Sequence, residues 1–86
     1  MKTYLIVIEN TGKNYCSYCP DVLGCVSSGD TIEETIKSMK EALEFHLEDE
    51  SRLPIAHTLQ WHLKNGLQFE KGSIFSHVEI QSLATA

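Results

Sequence analysis

The 86-residue sequence is short of basic side chains: seven Lys and Arg stand against twelve Asp and Glu, for a formal net charge of −5. Phosphate backbones are bound by clustered Lys and Arg, so this surface is not expected to bind DNA or RNA directly. It suits a basic protein partner instead, through charge complementarity. Long apolar runs are missing as well. Nothing approaches the roughly 20 residues of a membrane span. The stretch 4–8 is too short for the core of a signal peptide and is not followed by a small-residue cleavage site. A cytoplasmic location is the expectation that follows. Three cysteines, an odd number, read as reduced thiols rather than a disulfide framework. No HExxH, P-loop or GxSxG pattern occurs, and no internal repeat or low-complexity tract. The expectation is a protein that is not an enzyme and carries no cofactor.

What is present suffices for one domain near the lower size limit for folding without metals or disulfides. A chain with 42% hydrophobic residues builds one modest core, and small domains often gain stability by self-association. Residues 4–9 are almost continuously apolar and β-branched, as in a strand covered on both faces or lying at an interface. Turn residues 10–14 lead to a second strand over 15–19, which Pro20-Asp21 breaks and Gly24 bends further. Residues 25–28 predict a short third strand.

Gly29-Asp30-Thr31 marks a helix start. Asp30 as N-cap places Glu33 at a capping-box spacing, and Thr31 does the same with Glu34. Ile32, Ile36, Met39, Leu43 and Leu47 form one apolar stripe, with Glu34, Lys37, Glu41, Glu44 and Glu48 mainly opposite. After a Leu53-Pro54 turn, Ala56, Leu59 and Leu63 have the spacing of a short second helix ended by Asn65-Gly66. Ile74, Ser76, Val78 and Ile80 share one face of a last strand, expected beside the first in a mixed sheet. The fold class is therefore α+β, in the order β-β-β-α-(α)-β: an antiparallel meander with one long helix on one face. Residues 1–81 form the domain, and 82–86 a frayed tail.

The chemistry-bearing residues have plain explanations. Cys16 and Cys19 make a CxxC, but residues three apart on a strand point to opposite faces, which does not suit zinc. The redox form of CxxC belongs at a helix start, whereas Pro20 and a turn follow here. Buried free thiols account better for Cys16, Cys19 and Cys25. His57 and His62 are five apart, and on one helix they do not share a face for a metal. His46, at the edge of the apolar stripe, reads as a partly buried, hydrogen-bonded histidine. His77 lies on the strand face opposite Val78. Turn and capping hydrogen bonds explain Asp21 and Asp30. With Glu9 and Glu79 they are too few and too scattered for a two-metal nuclease. No catalytic or metal-binding residues are assigned.

One resemblance runs through these segments. Pro20-Asp21-Val22-Leu23-Gly24-Cys25, Ser27-Ser28-Gly29-Asp30-Thr31, Glu33-Glu34 and Glu41-Ala42-Leu43-Glu44-Phe45-His46-Leu47 stand in the order and spacing of the HicB antitoxin family. The chain resembles that family over residues 4–50 and more loosely to residue 80. Pro20, Asp21, Gly24, Cys25, Gly29, Asp30, Thr31 and Glu33 carry the scaffold motif; Leu23 replaces the second proline usual in the turn.

The resemblance implies a partial ribonuclease-H-like fold without nuclease activity. It also implies a small basic mRNA-cleaving HicA-type ribonuclease toxin as partner, and a homodimer or tetramer. Many members carry a further DNA-binding segment; with so few residues after the last predicted strand, none is expected here, nor direct DNA binding. The function expected is a non-enzymatic antitoxin that masks its toxin sterically and electrostatically, through Glu34, Glu41, Glu44 and Glu48 or through an open sheet edge. The alternative is a stand-alone oligomeric module that binds a ligand or a protein without a cognate toxin.

Overall fold

The computed structural model describes residues 2–48 and 52–80. Within them the chain forms β1 (Lys2–Asn10), β2 (Tyr15–Tyr18), β3 (Val26–Gly29), α1 (Ile32–Leu47), α2 (Leu59–Lys64) and β4 (Ile74–Ile80). The strands make one sheet in the order β3-β2-β1-β4. All three pairings are antiparallel, with Val7 opposite Tyr18 and Phe75, and Cys16 opposite Ser28. The α+β class and the meander are as predicted. The last strand does lie beside the first, but the sheet is not mixed. The chain crosses between β3 and β4 through two helices and the segments around them, and so returns to β1 in the opposite direction. The expected tail at 82–86 falls outside the described residues.

β1 carries the core. Tyr4, Leu5, Ile6, Val7 and Ile8 are all fully buried, which requires cover on both faces. On one face Tyr4, Ile6 and Ile8 pack with Met39, Leu43 and Leu47 of α1 and with Cys19, Val22, Cys25, Val78 and Ile80. On the other, Val7 pairs with Tyr18 and Phe75. The segment after α2 returns over this side: the Tyr18 hydroxyl donates to the Gln68 carbonyl at 3.1 Å, and Phe69 packs edge-on to Phe75 with centroids 5.1 Å apart. The chain thus supplies its own second layer.

Helix α1 starts where the sequence places it. Of the two candidate caps the structure uses Thr31, whose Oγ1 accepts the Glu34 N–H at 3.0 Å. Glu34 Oε2 in turn accepts the Asp30 N–H at 3.1 Å, a reciprocal arrangement set one residue earlier than the standard capping box. The inward line is Thr35, Met39, Leu43 and Leu47, while Ile32 and Ile36 are only partly buried. Thr35 reaches the interior because its hydroxyl donates to the Thr31 carbonyl at 2.8 Å, and because Gly29 lies against it. A Cβ on Gly29 would stand 2.7 Å from the Thr35 N and 2.8 Å from its Oγ1. Glycine is therefore what lets β3 approach the helix this closely.

Candidate functional site

The Pro20-to-Cys25 turn and the segment around α2 meet at one end of the sheet. The turn is closed by backbone hydrogen bonds from Val22 to Cys19 at 3.1 Å and from Cys25 to Val22 at 3.3 Å. Gly24 takes φ +83°, a left-handed conformation that glycine adopts without strain. Val22 points into the core, whereas Leu23 is 86% exposed.

Helix α2 begins later than its apolar spacing suggests. Thr58 is the N-cap and accepts the Trp61 N–H at 3.1 Å, so His57 precedes the helix. The helix ends in a Schellman arrangement, with Leu67 N–H donating to the His62 carbonyl at 2.9 Å and Gly66 N–H to the Leu63 carbonyl at 3.4 Å. Its inward residue is His62, and Leu63 is 46% exposed, which corrects the expected apolar face.

Starting the helix at Leu59 also overturns the reason for separating His57 from His62. The two imidazoles converge on Asp21. Asp21 Oδ2 accepts the His57 backbone N–H at 2.9 Å, and its Oδ1 lies 2.8 Å from His57 Nδ1. The same Oδ1 is 3.1 Å from His62 Nε2, but without the geometry of a hydrogen bond. His62 Nε2 is buried and has no hydrogen-bond partner among the described residues. Trp61 stacks on the His57 ring at 3.6 Å and 18°, and His62 meets both rings nearly perpendicularly. Burial alone would raise the Asp21 carboxyl; the His57 side-chain and backbone hydrogen bonds, with the His62 ring beside it, outweigh burial and hold it below the usual carboxylate range. Asp21 is thus not a local turn device. It joins segments 36 residues apart.

A groove of about 420 Å³ opens beside this cluster, lined among others by Leu23, Val26, Trp61, His62 and Leu67. A second, sharing Gly24, Cys25 and Val26, is bordered by Phe45 and His46 of α1. His46 is exposed, not partly buried as expected, because it lies in the last turn of α1, with this open groove beside it. Cys19 and Cys25 sit in the core and Cys16 is half-buried. Burial pushes the Cys19 thiol up to about 11, despite hydrogen bonds from the Asp21 and Val22 backbone.

The acidic face of α1 is real in space. Glu34, Glu41 and Glu48 are exposed and Glu44 is half-buried; Asp49 and Glu50 lie outside the described residues. Phe45, 66% exposed, follows Glu41 by four residues and precedes Glu48 by three, so it stands on the same face. Helical spacing already sets this phenyl off the stripe of Ile32, Ile36, Met39, Leu43 and Leu47, two residues past Leu43, although spacing alone assigns it no role. Glu34 is committed partly to the Asp30 cap, and Glu33 is exposed in the first turn. Among the described residues no helix is long and apolar enough to cross a membrane.

The sequence matches the family of HicB-like antitoxins of bacterial toxin–antitoxin systems over residues 4–84. A 14.9 kDa protein from the rep–hol intergenic region of Haemophilus phage HP1 is 39% identical over 64 residues, covering 70% of this chain and 48% of that protein. The chain thus spans about half the length of that relative. The fold is that of the N-terminal domain of Burkholderia pseudomallei antitoxin HicB, with TM-score 0.77 at 22% identity over 93% of this chain and 99% of that one. A chain of a HicA3–HicB3 toxin–antitoxin complex matches with TM-score 0.69 at 29% identity, over 93% and 99% of the two chains.

Proposed function

Because this chain belongs to the HicB-like antitoxin family, we propose that it is a non-enzymatic, cytoplasmic antitoxin that binds and masks a small basic mRNA-cleaving toxin of the HicA type. The supporting observation is the family match over residues 4–84, joined to a similar chain solved in a complex of HicA3 with HicB3. The net charge of −5 gives the long-range attraction such a partner needs.

The docking face in this proposal is the solvent side of α1. Glu41, Glu44 and Glu48 supply the charge, with Glu34 at the edge, and exposed Phe45 supplies an apolar anchor among them. A buried aromatic ringed by polar contacts is the usual anatomy of an energetic centre in an interface. The open strands β3 and β4 remain for pairing with a second copy, giving a homodimer or tetramer.

The test is co-expression with a small basic HicA-type toxin from the same genome, reading mRNA cleavage and complex formation by size exclusion. The expected result is a stable complex that silences cleavage. Phe45→Ala should weaken it by roughly tenfold or more, and Glu41→Lys should weaken it in a salt-dependent way. A toxin left fully active, with no complex, refutes the proposal.

A further inference from the structure

The Asp21, His57 and His62 cluster does more than a hydrogen-bonded staple requires. Two imidazole nitrogens face a single carboxylate oxygen, Asp21 Oδ1, at 2.8 and 3.1 Å. One of them, His62 Nε2, belongs to a side chain only 9% exposed and makes no hydrogen bond. Leaving a buried imidazole nitrogen unpaired is costly unless something else satisfies it. The three donor atoms all lie within 4.8 Å of one another, and each residue offers one ligand atom.

We infer that Asp21, His57 and His62 form a binding site for one divalent cation of the zinc class, Asp21 through a carboxylate oxygen, His57 through Nδ1 and His62 through Nε2. Two imidazoles and a carboxylate are a donor set such ions favour. Metal–ligand bonds of about 2.0–2.1 Å place tetrahedral ligands about 3.4 Å apart. The contacts to Asp21, at 2.8 and 3.1 Å, need to open by about 0.6 and 0.3 Å to reach that spacing. The two imidazole nitrogens, within 4.8 Å of each other, adjust alongside. The ion would take over the place now filled by the contacts between the rings and the carboxylate, and would satisfy His62 Nε2 directly. Stacking on Trp61 holds the His57 ring plane, and the Thr58 cap and the Schellman turn fix the helix that carries His62. Three protein ligands leave one coordination position for water or for a donor from whatever enters the groove that His62 also lines. The site needs no cysteine, and it is independent of any toxin partner.

Chelator-stripped full-length protein should be titrated with zinc chloride by calorimetry, and with cobalt(II) by absorption. Saturable binding of one ion per chain is expected, with a melting temperature that rises with the logarithm of zinc concentration. Cobalt should give ligand-field bands without a thiolate charge-transfer band, which separates this site from the three thiols. His62→Gln and His57→Gln should each weaken binding by roughly 100-fold or more. Should His62→Gln fail to fold by circular dichroism, His57→Gln decides, because that ring is at the surface edge of the cluster. Absence of saturable binding to the folded protein overturns the inference. So does a thiolate band, or binding that survives the loss of His57.

Discussion

Gly29→Ala is the sharpest probe of how this scaffold is held together. Gly29 is the last residue of β3, and its φ is not in the left-handed region, so alanine is not strained by its own backbone there. The entire penalty comes from what the new methyl meets: Thr35 N at 2.7 Å, Thr35 Oγ1 at 2.8 Å and the Glu34 carbonyl carbon at 3.0 Å. Two of the three atoms are helix backbone and cannot turn aside, so the cost belongs at the upper end of the ~1–3 kcal/mol of overpacking. Restricting the unfolded chain returns about 0.4–1 kcal/mol. The net expectation is a loss of about 2 kcal/mol. A domain of this length has about 4–13 kcal/mol in all, so the variant still folds. The melting temperature should fall by roughly 8–16 °C. In urea the midpoint should drop by roughly 1–2 M with the slope unchanged. Adding Thr35→Ala removes the hydroxyl contact but not the backbone ones, so it should not restore stability. A Gly29→Ala protein within about 0.5 kcal/mol of the parent would refute the reasoning, since ordinary surface substitutions fall within that range.

Two further measurements test the core around the turn. The folded state raises the Cys19 thiol to about 11, above the ordinary value of about 8.5. Its contribution to stability is therefore complete below the unfolded value and is lost as pH rises through the folded one. The stability gap between the parent and Cys19→Ala should narrow between about pH 9 and pH 11 in urea titrations; a gap independent of pH contradicts this. Tyr4→Phe removes the hydroxyl that donates to the Pro54 carbonyl at 2.6 Å, and it should cost about 1 kcal/mol in the same assay. No measurable loss would mean that residues 53–57 hold their position without that bond.

The legible parts of this fold were those where one local signal dominates. The period of α1, the apolar run of β1 and the Ile74-to-Ile80 alternation each specify an element without reference to the rest of the chain. The candidate metal cluster was not legible, for a definite reason. Reading Ala56, Leu59 and Leu63 as one helical face placed His57 and His62 on the same helix with incompatible directions. Thr58, a residue type that caps helices, was the available signal that the helix starts after His57. Even with that correction, Asp21 lies 36 residues earlier, and no local pattern brings it to His57. Phe45 was legible in place but not in purpose: two residues past Leu43 it falls off the apolar stripe, and single exposed apolar side chains are common on any protein surface.

The central strand also fixes the order in which the molecule can be completed during synthesis. β1 leaves the ribosome well before β4, one of its two neighbours, with Lys2 paired to Ile80 across 78 residues. Until residue 80 emerges, one edge of β1 has no partner, and the five apolar residues from Tyr4 to Ile8 are without much of their cover. A nascent or truncated chain therefore presents an open apolar strand edge, the form most prone to pairing with other chains. Pairing between segments so distant carries a large loop-closure cost, which slows folding in general. The pairing that protects β1 is therefore the one that forms across the greatest separation in sequence.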